Sequence, residues 1–145
     1  MREIEFRGKL ERSINSQTPA GTWIYGMYSF LRDRACIYEK DSAIGLFVDP
    51  ESVGEYTGLK DKNGVKIFEG DIVIFPKFPE NGKHAVIFYD GSFYAADLEC
   101  YGKKDIKDVP KFSAYWWGDN GNGVPVIVGN IHDNPELLNG KGVNV

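Results

Sequence analysis

The sequence predicts a mainly β protein, and the short helical ending leaves an α+β classification open as the alternative. Aromatic side chains make up 14% of the 145 residues, and such side chains suit the pleated, half-buried surface of strands. The 17 glycines indicate many turns. Short apolar segments separated by turn residues follow one another along the chain, which is typical of a β-rich domain.

The first predicted element is a half-buried strand over residues 2–9, REIEFRGK. Its residues alternate, with Ile4 and Phe6 on an apolar side and Glu3, Glu5 and Arg7 on a polar side. A polar loop that contains Pro19 and Gly21 follows it.

Three further short strands are predicted before the middle of the chain. Residues 22–31, TWIYGMYSFL, are β-branched and aromatic, and Gly26 within them indicates a bulge or bend. The RDR stretch at 32–34 turns the chain, so that residues 35–40 return as a strand. Residues 44–50, IGLFVDP, form another strand that ends at a proline.

The stretch YTGLKDKNGVKIFEGDIVIF, residues 56–75, predicts architecture rather than an active site. A strand over 53–59 leads into residues 61–64, which suit a type I turn with Gly64 in the left-handed conformation. An Asn-Gly type I′ turn is the competing register. Strands follow at 65–68 and at 72–75, and the second has four consecutive apolar residues, which favours burial on both faces.

Residues 84–96, HAVIFYDGSFYAA, predict a hairpin around the two-residue loop Asp90-Gly91. Folding about this loop places Phe88 opposite Phe93 on one face. The same register sets Val86 opposite Ala95 on that face and Ile87 opposite Tyr94 on the other.

The last third of the chain predicts a long connection, two strands and a helical ending. The connection spans 97–111, with one helical turn as an option, a strand covers 112–117, and a loop follows at 118–123. Residues 124–131, VPVIVGNI, predict a last buried strand.

The ending favours one short helix or helical turn. Asn134 suits the N-cap, Pro135 the first helical position, and Gly140 a place beyond the end. Leu137 and Leu138 are then expected to pack back on the sheet.

Charge and cysteine content narrow the classes of function. The net charge of −4 argues against a nucleic-acid binder, because such proteins usually carry a basic surplus. Cys36 and Cys100 form no disulfide framework and are interpreted as reduced thiols in a cytoplasmic protein. The N-terminus lacks the apolar segment of a signal peptide, and no apolar run is long enough to span a membrane.

No group of residues indicates catalysis, a cofactor or a metal. Glu55, Asp61, Glu69, Asp71 and Asp90 lie close in sequence, but the three aspartates occupy positions that turns or strand starts favour. His84 and His132 lie far apart and lack the dense neighbourhood of a zinc or nucleophile site. The GDNGNG loop lacks the calcium-loop pattern, and no phosphate-binding glycine motif is present.

The segment AYWWGD supplies the candidate interaction surface: Tyr115, Trp116 and Trp117. Adjacent residues of a strand point to opposite faces, so an exposed tryptophan here would anchor a protein interface or stack on a nucleic-acid base. Burial of both tryptophans in the core is the alternative interpretation.

Several motifs together resemble one family. MREIEFRGK, GTWIYG near 21–26, VDPESVGEYTGLKDKNGVKIFEGDIV at 48–73, VIFYDGSFY at 86–94 and VIVGNIHDNPELL at 126–138 are similar to the YopX family. The resemblance implies a small protein of phages and prophages of low-GC Gram-positive bacteria, a β-rich fold with an SH3-like barrel in the second half, and homo-oligomers. It implies no catalytic residues and no cofactor.

We therefore expect one YopX-like unit over 1–145, with a subdivision into an N-terminal β region, 1–55, and a barrel with a helical turn, 56–145. The expected function is that of a non-enzymatic phage or prophage accessory protein. It would act through self-assembly or contact with a host or phage protein. A nucleic-acid-binding small barrel is the alternative, and a hydrolase that uses Asp and Glu side chains is a third.

Overall fold

The computed structural model of the chain describes residues 2–98, 111–114, 117 and 123–138. These residues form antiparallel strands and short 3₁₀ helices, so the predicted mainly β class is confirmed. The chain divides into two compact units, Met1–Gly58 and Leu59–Val145, three residues beyond the predicted subdivision. No helix in the described part of the chain is long and apolar enough to cross a membrane.

The first unit contains strands β1 to β4 and most of β5. Their bounds are β1 Phe6–Lys9, β2 Trp23–Leu31, β3 Arg34–Tyr38, β4 Gly45–Phe47 and β5 Gly54–Lys60. In the sheet they follow the order β4-β3-β2-β1-β5. A 3₁₀ helix, Pro50–Ser52, precedes β5, and the Asp49 carboxylate caps it by accepting from the Glu51 N–H at 3.1 Å.

Strand β2 changes its pairing in the middle. Its residues up to Gly26 pair with β1, and its residues from Met27 onward pair with β3. A Cβ atom at position 26 would collide with the backbone carbonyl of Tyr38. The predicted irregularity at Gly26 is thus the point where another backbone approaches too closely for any side chain.

The core of the first unit lies on one face of this sheet. Its buried members are Leu10, Ile24, Ala35, Ile37 and Val48, and the partly buried Phe6, Tyr28, Leu46 and Val53 pack against them. Strand β1 is shorter than expected, because residues 2–5 form no strand. The interpretation of Arg7 as a residue of the polar face is wrong: it is buried, and its guanidinium lies 4.5 Å from the centre of the Trp23 ring.

The second unit begins with the end of β5 and contains the remaining strands. They are β6 Lys66–Phe68, β7 Asp71–Ile74, β8 Lys83–Tyr89, β9 Ser92–Asp97, β10 Lys111–Ser113 and β11 Val126–Asn130. All but β6, which lies beside β5, form a five-stranded sheet in the order β10-β9-β8-β7-β11. A further 3₁₀ helix covers Pro79–Asn81.

Both faces of β7 are buried, as predicted. On one face Val73 joins the cluster of Ile67, Phe75, Val86, Ala95 and Trp117. On the other face Ile72 joins Ala85 and Leu98, and Leu137 and Leu138 pack against them as expected. The terminal strand β11 differs from its prediction, because it is half-buried at the sheet edge and Val128 is exposed.

Both predicted hairpin loops are confirmed. Asp90 and Gly91 have φ values of +50° and +82°, which a type I′ turn requires, and Phe88 pairs with Phe93 as expected. Gly64 has a φ of +82° and Asn63 does not have a positive φ, which excludes the competing type I′ turn. The Gly64 N–H donates to the Asp61 carbonyl at 3.0 Å and closes the type I turn.

The helical ending is a 3₁₀ helix, Pro135–Leu138. Asn134 precedes it, but its side-chain oxygen accepts from the Asn130 N–H at 3.1 Å and so fixes the end of β11. Asn134 also occupies the predicted N-cap position, and its backbone carbonyl accepts from the Leu137 N–H at 3.0 Å. Gly140, Cys100 and most of the predicted connection 97–111 and loop 118–123 lie outside the described residues.

Candidate interaction surface

The acidic side chains of the 56–75 stretch hold turns together. One oxygen of Asp61 accepts from the N–H groups of Asn63 and Val65, at 2.8 and 2.9 Å, and the other accepts from Ile127 at 3.1 Å. Asp71 is also buried and accepts from the Phe68 N–H at 2.8 Å. These carboxylates serve backbone donors, as the interpretation of this stretch as architecture expects.

The two histidines have separate structural settings. His84 is 2% exposed, lies beside Asp97 in the β8–β9 pairing, and meets the Phe75 ring edge-on at 5.3 Å. Burial lowers its pKa, and the Asp97 charge and the Gly82 backbone oppose that effect. His132 lies in the turn after β11, where its N–H donates to the Asn130 side chain at 3.0 Å.

The described residues offer neither a metal site nor an exposed cysteine thiol. Within 2–98, 111–114, 117 and 123–138, no group of three or more His, Cys, Asp or Glu side chains is placed to hold a metal ion. Cys36 is a free thiol that is completely buried. A buried thiol of this kind behaves as a small apolar side chain.

Trp117 lies in the core of the second unit. It is 6% exposed and its ring meets Phe75 at 6.2 Å in an edge-on arrangement. This placement agrees with the core interpretation for Trp117. The other two members of the predicted surface, Tyr115 and Trp116, lie outside the described residues.

The largest exposed apolar group of the first unit lies on a segment that the sequence interpretation did not single out. We call the paired strands from Met27 to Tyr38 the β2–β3 arm. Met27 at its base and Phe30 and Leu31 near its tip are all exposed, and Phe30 keeps 63% of its surface accessible. Phe30 lies on one face of the arm and Met27 and Leu31 on the other. Because both faces expose large apolar side chains, the arm is the candidate interaction surface.

The exposed end of the arm is continuous with the core. Phe6 and Tyr28 have their ring centres 5.5 Å apart, and those of Tyr28 and Phe30 are 5.2 Å apart. Tyr28 packs against the core of the unit, whereas Phe30 extends the aromatic row into solvent. The row therefore supplies a supported aromatic side chain at the surface.

The tip of the arm is also held by charged contacts. Arg34, which pairs with Leu31, donates to the Glu11 carboxylate at 3.1 Å. The same guanidinium lies 3.7 Å from the centre of the Phe47 ring on β4. These contacts fix the returning strand, so the exposed apolar side chains stand on an ordered support.

One sequence signal could have identified the arm. A strand with one solvent face alternates apolar and polar residues, but TWIYGMYSFL is apolar at nearly every position. Gly26 within this segment predicts only a bend in the strand. Its excess of apolar residues predicts either burial on both faces or an exposed apolar surface. In the structure the apolar side chains near the tip are exposed.

Comparisons with known proteins agree with this fold. The sequence profile of the family described as YopX protein matches residues 12–139. No curated protein matches the chain. The crystal structure of protein EF1440 from Enterococcus faecalis is similar in fold, with 22% sequence identity, a TM-score of 0.50, and coverage of 95% of this chain and 99% of the other. Because the profile spans most of its length, the chain belongs to the YopX family.

Proposed function

We propose that the protein is a non-enzymatic interaction module and that the β2–β3 arm makes the contact. The single observation that carries the proposal is the exposure of Met27, Phe30 and Leu31 within five consecutive residues. Exposed apolar groups of this kind mark protein interaction sites, and Phe and Met are enriched in protein interfaces. Membership of the YopX family adds the proposal of an accessory role in a phage or prophage-bearing bacterium.

The setting of the buried carboxylates supports a non-enzymatic role. Asp61 and Asp71 use their oxygens to accept backbone hydrogen bonds within turns. Such carboxylates stabilise the fold and are not poised to exchange protons with a substrate. The acidic net charge of −4 also favours a protein partner over a nucleic acid.

The cations of the first unit add to this preference. Arg7 and Lys9 lie over the Trp23 ring, at 4.5 and 5.4 Å from its centre. A base that stacked on this ring would have to displace them. The tryptophan and its cations therefore act as packing within the unit rather than as a platform for a nucleic acid.

The proposal is tested by capturing partners from a bacterial host lysate with tagged protein, with and without nuclease. A second, differently tagged copy is co-expressed, so that self-association and other partners are read in one experiment. We expect nuclease-resistant protein capture that Phe30→Ser abolishes. Phe88→Ser is the matched control, since Phe88 is also an exposed strand phenylalanine that packs on another ring.

The proposal fails if Phe30→Ser and the wild type capture the same proteins in the same amounts. It also fails if the captured material is nucleic acid that disappears with nuclease and at high salt, because that result favours the nucleic-acid-binding alternative.

A further inference from the structure

Half of β2 has a free edge. Strand β1 pairs with β2 only as far as Gly26, whereas β3 pairs with all residues from Met27 to Leu31. Among the described residues, no strand lies on the outer side of this half. A strand edge with unpaired backbone groups is a template for pairing with another chain.

The hairpin geometry decides which backbone groups point to this edge. Arg32 and Asp33 have φ values of +53° and +63° and form a two-residue loop. In such a hairpin the flanking residues, Leu31 and Arg34, exchange both backbone hydrogen bonds. Because antiparallel pairs alternate, Ser29 bonds to β3 as well, and the N–H and C=O groups of Tyr28 and Phe30 point outward.

We propose that a second copy of the chain pairs antiparallel with this edge, with Ser29 at the symmetry axis. The inference rests on the proposed function and names the partner of the same arm. Tyr28 then faces the second copy's Phe30, and Met27 faces the second copy's Leu31. The outward backbone groups of Tyr28 and Phe30 meet as hydrogen-bonded pairs, and the two Ser29 residues form the pair without such bonds.

The sequence of the segment is self-complementary about Ser29, which is why a second copy fits it. Met27-Tyr28-Ser29-Phe30-Leu31 reads as aliphatic, aromatic, small, aromatic, aliphatic in both directions. Antiparallel self-pairing therefore sets like against like, and aromatic cross-strand pairs are favourable. A two-fold contact needs a self-complementary patch of this kind.

The part of β2 that β1 leaves uncovered is as long as the proposed contact with the second copy. Contact runs from Met27 to Leu31 on each copy and stops where β1 begins to cover β2, at Gly26. Pairing along five residues buries much less surface than the roughly 800 Å² per partner that a standard interface buries. We therefore expect reversible, concentration-dependent dimers.

The first test places a cysteine at the symmetry axis. Cα atoms of such a pair lie about 4.5 Å apart, which a disulfide can bridge. Ser29→Cys should give a disulfide-linked dimer on mild oxidation. Ser42→Cys, on the exposed loop between β3 and β4, is the control and should form no disulfide-linked dimer. The wild type, which keeps Cys36 and Cys100, should form none either.

The second test measures self-association by sedimentation equilibrium over a range of protein concentrations. Ser29→Lys puts like charges opposite each other and should raise the midpoint concentration of dimerisation at least roughly tenfold. Ser42→Lys should leave it unchanged. Ser29 and Ser42 are both exposed, so we expect both lysine variants to fold. Circular dichroism checks that they do.

The outcomes separate this inference from the proposed function. A protein that stays monomeric at all concentrations, or a dimer in which Ser29→Cys forms no cross-link, overturns the proposed pairing. The proposed function survives that result if Phe30→Ser still abolishes the capture of a different protein from the lysate.

Discussion

The Asp61 carboxylate accepts a hydrogen bond from the Ile127 N–H at 3.1 Å, although 66 residues separate the two. The other oxygen closes the turn through Asn63 and Val65. One side chain thus forms the hairpin loop and attaches the edge strand β11 to it. It also occupies a backbone N–H of that edge strand, which removes a point where another chain could pair.

Asp61→Ala should strongly destabilise the protein. The substitution removes three part-buried hydrogen bonds from backbone N–H groups to a charged acceptor, and hydrogen bonds to charged groups contribute about 1.5–3 kcal/mol each. We expect a loss of at least about 3 kcal/mol in the free energy of unfolding, measured by urea titration. Asn63→Ala, an exposed neighbour in the same turn, is the control and should cost under about 1 kcal/mol. Equal losses in the two variants would contradict this role for Asp61.

Gly26→Ala should cost more than Gly64→Ala. The new methyl group at position 26 would collide with the Tyr38 carbonyl, which cannot move without breaking the β2–β3 pairing. At position 64 a new methyl group meets open space, and only the positive φ opposes the substitution. We therefore expect Gly64→Ala to lower the free energy of unfolding by about 1–2 kcal/mol. We expect Gly26→Ala to lower the free energy of unfolding by about 3 kcal/mol or more, as measured by thermal or urea unfolding. A loss at Gly26 no larger than that at Gly64 would speak against the close approach.

His84 should make the protein less stable in mild acid. Its folded-state pKa lies below the ordinary value of 6.5, so the folded protein resists protonation more than the unfolded chain does. Its contribution is therefore constant above pH 6.5 and becomes unfavourable as the pH falls through 6.5 toward the lower folded-state pKa. Urea titrations between pH 8 and 5 measure the effect.

A variant pair isolates that contribution. His84→Gln should flatten the dependence of stability on pH around 6.5, whatever its stability at pH 8. His132→Gln keeps the buried histidine and is the control. An unchanged slope in His84→Gln would show that another group causes the pH dependence.

Phe93 and Phe88 should differ in their contribution to stability, although their rings pair at 5.1 Å. Phe93 is buried and Phe88 is half exposed. Phe93→Ala should cost about 3–5 kcal/mol, as large core truncations do, and Phe88→Ala about 1 kcal/mol. The double variant should show a coupling of about 0.5–1.5 kcal/mol for the edge-on pair. Additive losses would mean that the rings do not interact.

Sequence reasoning succeeded where structure depends on neighbouring residues. The Asp90-Gly91 loop fixed the register of β8 and β9, because a two-residue loop with positive φ values leaves one pairing. It failed for Arg7, where alternation predicted a polar face and the Trp23 ring covers the guanidinium. It also missed the β2–β3 arm as an interaction surface, because the apolar pattern alone does not say which end of a strand remains uncovered.

The sequence by itself determined the turns, the short strands, the mainly β class and the likeness to the YopX family. These follow from local backbone preferences and from motifs that can be read along the chain. The tertiary structure decided that Ile127 meets Asp61, that Trp117 enters the core, and that β1 covers only half of β2. Such relationships join residues far apart in sequence, so they depend on how strands pair and pack rather than on the preferences of any one segment.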